Sequence, residues 1–208
     1  MRLIFATGNQ GKMKEIRMVL RNLGVEILSM KEAGISVDID ENGETFEENA
    51  LIKAREIAKY AEDAIVLADD SGLEIDYLNK EPGVHSSRFM GEDTSYEIKN
   101  QHILDLLKGV EEEKRSARFV CVISAVLPNG EEYVTRATIE GRIGHESLGE
   151  NGFGYDPIFY VPEYDRTTAE LTLEQKNQIS HRGKALEEIK KILQQSNVLS
   201  GKDGREER

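Results

Sequence analysis

The sequence predicts an α/β protein built on a mixed β-sheet flanked by helices. Three observations predict it. Short apolar runs that end in Gly, Asn or Asp alternate with amphipathic helical stretches through the first third of the chain. A hairpin signal, Asn129-Gly130, sits in the middle between two apolar stretches. A helical pattern closes the order. The sequence has 208 residues, enough for one large domain or two small lobes with a sizeable core.

The elements follow in order. Leu3-Ile4-Phe5-Ala6 reads as a buried strand stopped by Gly8 and Asn9. Ile16, Val19, Leu20 and Leu23 then form one apolar helix face, which Gly24 ends. Val25 to Leu28 reads as a second strand. Thr45-x-x-Glu48 is a capping box, and the helix behind it runs to about Tyr60. Ala64 to Ala68 reads as a buried strand punctuated by a loop, Asp69-Asp70-Ser71-Gly72. Thr94-x-x-Glu97 opens another helix that stops near Gly109. Arg118 to Leu127 and Glu132 to Thr138 read as the two arms of the hairpin. Ser180 caps a last helix with inward positions Ala185, Leu186, Ile189, Ile192 and Leu193. No repeat or linker divides the chain. Residues 1–195 are expected to form one domain, and 196–208 a polar, frayed tail.

Composition narrows the function classes. There are 27 basic and 39 acidic residues, a net charge of −12. A nucleic-acid polymer and an anionic membrane are therefore not expected as partners. The single cysteine, Cys121, lies in an apolar run, so no disulfide forms within the chain. No apolar run approaches the roughly 18 residues that cross a membrane. The start MRLIFATGN lacks a signal-peptide layout, so the expected location is cytoplasmic.

Four separated segments carry chemistry suited to a nucleotide. Thr7-Gly8-Asn9-Gln10-Gly11-Lys12 joins a strand to a helix start, where backbone N–H groups and the helix dipole favour an anion. Lys12 adds a full positive charge. The spacing is not that of a Walker A loop, and an ordinary tight turn would look much the same. Asp69 and Asp70 place two carboxylates side by side, which a magnesium ion would stabilise. One acid could hold the metal while the other takes a proton from water. A solvated Asp-Ser-Gly turn is the plain alternative.

The acidic run from Asp38 to Glu44 offers further oxygens, and either Asp40 or Glu41 could turn inward. Asn49 and Lys53 share a helix face, so Lys53 could reach a phosphate. Phe153-Gly154-Tyr155-Asp156-Pro157 offers a ring for a base to stack on and a carboxylate for its edge. It could equally be an aromatic anchor for a loop. His181 and Arg182, with Lys176 just upstream, gather positive charge at a predicted helix start, which an anion would neutralise. His85, His102 and His145 are read as structural. Serine-hydrolase, zinc-protease and Rossmann motifs are absent.

These segments resemble known blocks. ATGNQGK, TFEENALIKA, LADDSGLEID, PGVHSSRF, GFGYDPIF and EQKNQISHRGKAL are similar, in order, to the signature blocks of the inosine triphosphate pyrophosphatase family. The similarity runs from Met1 to about Leu193. It implies an elongated mixed sheet in two lobes with a central cleft, an architecture shared with Maf-like proteins. It also implies a Mg²⁺-dependent homodimer that hydrolyses XTP, ITP or dITP to the monophosphate and pyrophosphate. Carried onto this chain, Thr7, Gly8, Asn9, Gln10, Gly11 and Lys12 hold the triphosphate, with Lys53 assisting. Asp70 is the general base and a metal ligand, with Asp69 beside it. Asp40 or Glu41 is the other metal carboxylate, and Ser71 touches substrate. Phe153 stacks on the purine within Gly154, Tyr155 and Asp156, while Lys176, His181 and Arg182 read the 6-oxo edge. Two other functions compete: a Maf-like pyrimidine triphosphate pyrophosphatase, and a nucleotide sensor that binds without turnover.

Overall fold

A computed structural model describes residues 1–196 and 198–200. The chain opens with β1 (Arg2–Phe5), α1 (Gln10–Leu20), β2 (Glu26–Ser29), α2 (Phe46–Ala58) and β3 (Ile65–Ile75). Then come α3 (Tyr96–Leu106), β4 (Ser116–Val126), β5 (Glu132–Ile143), β6 (Phe159–Val161), β7 (Arg166–Thr167), α4 (Leu173–Ile179) and α5 (His181–Gln195). The strands form one seven-stranded sheet in the order β2-β1-β3-β4-β5-β6-β7. β1 pairs parallel with β2 and with β3, whereas β6 pairs antiparallel with β5 and with β7. The sheet is mixed, as expected from helical crossovers early in the chain and a hairpin later.

Local signals account for the early elements. Asn9 caps α1, its side chain accepting from the Lys12 amide. Gly24 ends the following 3₁₀ turn in the left-handed region, at φ 69°, a conformation glycine adopts without a Cβ penalty. Thr45 and Glu48 make the reciprocal capping box at α2. The third helix departs from expectation. Its N-cap is Ser95, whose hydroxyl accepts from the Ile98 amide. The Thr94 hydroxyl instead donates to the Met90 carbonyl.

The largest departure is β3. The sequence predicts a strand ending at Ala68 and a loop at Asp69-Asp70-Ser71-Gly72, but the strand continues to Ile75. Asp69 and Asp70 are therefore buried inside a strand. Two helices supply lysines to them, so the acids need not turn out to water. The first hairpin arm starts earlier, at Ser116, and ends at Val126, the second runs on to Ile143, and β6, β7 and α4 are additions. Most of the expected tail, residue 197 and residues 201–208, lies outside the described residues; Val198–Ser200 is a 3₁₀ turn.

The chain divides into two compact units. The first holds Met1–Asp70, Val122–Arg136 and the described residues from Ala185 onward; the second holds Ser71–Cys121 and Ala137–Lys184. The first unit has a core of Ile4, Ala54, Ile57, Val66 and Ala68 with their neighbours. The second packs Leu73, Ile103, Phe119, Ile139, Tyr155 and Phe159 together. Of the inward positions predicted for the last helix, Ala185, Leu186, Ile189 and Leu193 are fully buried, while Ile192 is half-buried. No helix among the described residues is long and apolar enough to cross a membrane.

Candidate active site

The first unit gathers acids and lysines. Lys12, in the first turn of α1, reaches Asp69 of β3 at 2.8 Å. Lys53, on α2, sits 2.8 Å from Glu41 and 3.7 Å from Asp70. Asn49 is one helical turn before Lys53, and its Nδ2 donates to Asp70 Oδ2 at 3.2 Å. The other end of that amide accepts from the Gly43 backbone at 2.8 Å, which ties the acidic loop to α2. Glu41 therefore belongs to the cluster. Asp40 is exposed and accepts from Asn42 Nδ2 at 3.3 Å. Of the two acids left open by the sequence, Glu41 is the one beside Lys53.

Burial decides the electrostatics. It pushes the Asp70 carboxyl up to about 6; Lys53 and Lys12 pull the other way, and Asp69 and Glu41 push it further up. Burial also pushes the Lys53 ammonium down, but Asp69, Asp70 and Glu41 outweigh it and leave Lys53 above its ordinary value. The result is an acid that can exchange a proton near neutrality beside a firmly charged lysine. At the turn before α1, Thr7 is buried and its hydroxyl accepts from the Asn9 amide at 3.1 Å. A Cβ at Gly8 would meet nothing within 4 Å. The fold itself does not require glycine there, so the bare backbone is open to a ligand. Asn9 and Gln10 are exposed, and Gly11 follows in the first turn of α1.

Among the described residues no group of three or more His, Cys, Asp or Glu is arranged to cage a metal. Magnesium does not need such a cage, because it keeps several waters and binds through one or two carboxylates plus substrate phosphates. The oxygen donors of Asp70 and Glu41, crowded with Asp69, fit that demand.

The second unit gathers an aromatic ring and cations. Lys176 Nζ lies 4.7 Å from the Phe153 ring centroid, and the Arg182 guanidinium lies 5.5 Å from it. Arg182 Nη2 also donates to Ser71 Oγ at 3.2 Å. Asp156 Oδ2 accepts from Lys176 Nζ at 2.7 Å and from the Phe153 amide at 2.8 Å. Its Oδ1 accepts from Thr168 Oγ1 at 2.8 Å. A Cβ at Gly152 would fall 2.2 Å from Asp156 Oδ2, so glycine makes room for this carboxylate. Asp156 thus holds the loop and Lys176 in place. Tyr155 is buried, and its hydroxyl donates to the Ser86 carbonyl at 2.7 Å. Asn100 Nδ2 fixes the Gly154 carbonyl at 3.1 Å. The His181 imidazole stacks on Phe119, with ring centroids 4.9 Å apart and planes 20° apart.

Within the first unit, the structure brings together Lys12, Glu41, Lys53, Asp69 and Asp70. Within the second, Phe153, Asp156, Lys176 and Arg182 come together, with Ser71 on Arg182. The sequence reading missed Phe119, Asn100 and Lys99, whose Nζ donates to the Ser87 carbonyl at 2.7 Å. Nothing in their local pattern separates them from ordinary core or helix positions.

Residues 3–192 match the Ham1 family. The chain belongs to the Ham1 family. It is 48% identical over 197 residues to the dITP/XTP pyrophosphatase of Clostridium perfringens, covering 92% of this chain and 97% of that protein. It is 50% identical over 193 residues to the dITP/XTP pyrophosphatase of Caldanaerobacter subterraneus, covering 93% and 96%. The solved Ham1 protein of Staphylococcus aureus superposes with a TM-score of 0.83 at 42% identity, over 94% of this chain and 100% of that one. The Ham1 match spans residues 3–192 and bears out the resemblance read from the six sequence blocks.

Proposed function

We propose that this Ham1-family chain hydrolyses the non-standard purine nucleoside triphosphates XTP, ITP and dITP to the monophosphate and pyrophosphate, with magnesium as cofactor. Asp70 carries the reading: it is a buried carboxyl held at about 6 beside Lys53, Glu41 and Asp69. A module that only binds nucleotides has no use for such a group. The relatives' name supplies the substrate class.

Asp70 accepts a proton from a water that attacks the α-phosphorus. The bond from that phosphorus to the bridging oxygen breaks, and its electron pair leaves with pyrophosphate. Lys12 and Lys53 face the charge that grows on the leaving group, and the turn from Thr7 to Lys12 holds the phosphates. Asp70 and Glu41 would hold the magnesium ion, which would supply charge neutralisation at the phosphates. Phe153 takes the purine face. His181, Arg182 and Lys176 donate to a 6-oxo group, where adenine presents an amino donor instead. A mismatch of that kind discriminates by about 10⁴–10⁵-fold. A homodimer belongs to the same reading and rests on the family resemblance alone; a cytoplasmic location is proposed alongside it.

A substrate panel with purified protein and Mg²⁺ tests the reading. Pyrophosphate and orthophosphate are to be measured separately. The expected result is pyrophosphate from XTP, ITP and dITP, with ATP, dTTP and UTP spared. Preference for dTTP or UTP would point to the Maf-like activity, and binding of ITP without turnover to a sensor.

A further inference from the structure

We infer that Phe119, a core residue of β4, is a positioning residue for base recognition: it sets the plane of the His181 imidazole. The inference rests on the proposed role of His181. A histidine ring otherwise turns broadly about its outer torsion. Here one face of the ring lies against Phe119, with centroids 4.9 Å apart and planes 20° apart. Phe119 is itself held by Phe159 at 4.3 Å. Both Phe119 and His181 are buried. An imidazole stacked on that ring cannot turn about its outer torsion without driving an edge into Phe119. Its two nitrogens are therefore aimed along fixed directions.

The backbone under His181 is fixed as well. Ser180 Oγ accepts from the Gly183 amide at 3.0 Å. A Cβ at Gly183 would fall 1.9 Å from the Asn177 carbonyl oxygen, so the α4–α5 junction closes only around glycine. The junction holds the backbone, and Phe119 holds the outer torsion, which sets the plane of the ring. A hydrogen bond to a 6-oxo group needs that direction, since donors weaken steeply when misaligned.

The test is a double-mutant cycle read as kcat and KM for ITP and ATP, using Phe119→Leu, His181→Ala and the pair. Phe119→Met serves as a second ringless variant should Phe119→Leu fail to fold. Ile139→Val, a change in the same buried cluster, controls for loosened packing. Phe119→Leu should raise KM for ITP about 3- to 10-fold, the weight of an aromatic pair. It should leave kcat within about twofold and add nothing on the His181→Ala background. Ile139→Val should leave KM unchanged. An unchanged KM in the Phe119 variants, or an effect that adds fully to that of His181→Ala, overturns the inference and leaves the proposed function standing. If His181→Ala leaves the preference for ITP over ATP intact, the base-reading role of His181 fails and the inference falls with it.

Discussion

The acid–lysine cluster of the first unit and the aromatic–cation cluster of the second are both buried and both charged, yet they treat charge in opposite ways. Asp70 shares its surroundings with Asp69 and Glu41, and two lysines do not bring its carboxyl back to the ordinary range. Asp156 meets a lysine, a backbone amide and a hydroxyl, so both of its oxygens are bonded. The first arrangement keeps an acid poised for proton transfer. The second keeps a pocket rigid. One chain thus separates reactivity from recognition by what surrounds its buried carboxylates: other acids beside Asp70, a lysine and neutral donors on Asp156.

The sharpest way to break the comparison is at Asp70. Asp70→Asn should lower kcat by about 10²–10⁴-fold, the usual weight of a general base. Steady-state pyrophosphate release checks it, and a variant with full turnover removes Asp70 from the chemistry. The mirror experiment is Asp156→Asn, which leaves Lys176 buried beside an uncharged partner. It should destabilise the fold by about 3–5 kcal/mol, seen in a denaturant titration, while Asp70→Asn should not.

The third prediction concerns the metal-free protein. Because folding raises the Asp70 pKa from 3.8 to about 6, the folded state binds that proton more tightly than the unfolded chain. Stability is therefore lost as pH rises from about 4 through 6. Asp70→Asn removes the charge, so at pH 7.5 in chelator it should gain about 1–3 kcal/mol, or roughly 3–8 °C in Tm. The gain should vanish near pH 4. An Asp70→Asn protein less stable than the parent at pH 7.5 would show that the ionised Asp70 stabilises the fold, as Asp156 is expected to do.

The smallest effect belongs to an exposed pair. Arg55 and Glu132 meet at 2.7 Å on the surface of the first unit. Arg55→Ala should cost only about 0.2–1 kcal/mol and less in high salt. A larger loss would mean that burial is not what separates the two clusters from the rest of the charged surface.

Much of this was legible in advance where the signal is local. The capping box at Thr45, the left-handed glycine at Gly24 and the turn at Asn129-Gly130 each concern a few neighbouring residues. The six ordered blocks carried the family. The capping box Thr172-x-x-Gln175 of α4 is just as local a signal. The sequence marks Asp69 and Asp70 as costly acids in a loop, whereas both lie within β3. Their lysines come from residues 12 and 53, and no window around Asp69 contains them.

By itself the sequence determined the alternation of elements, the apolar faces and the identity of the reactive side chains, because each depends on spacing within one element. Only the tertiary structure decided that β3 runs on through two aspartates, that Glu41 rather than Asp40 meets Lys53, and that Phe119 lies against His181. Those outcomes depend on which distant segments pack together. Burial then sets the cost of a charge, and a partner far away in the chain sets whether that cost is met.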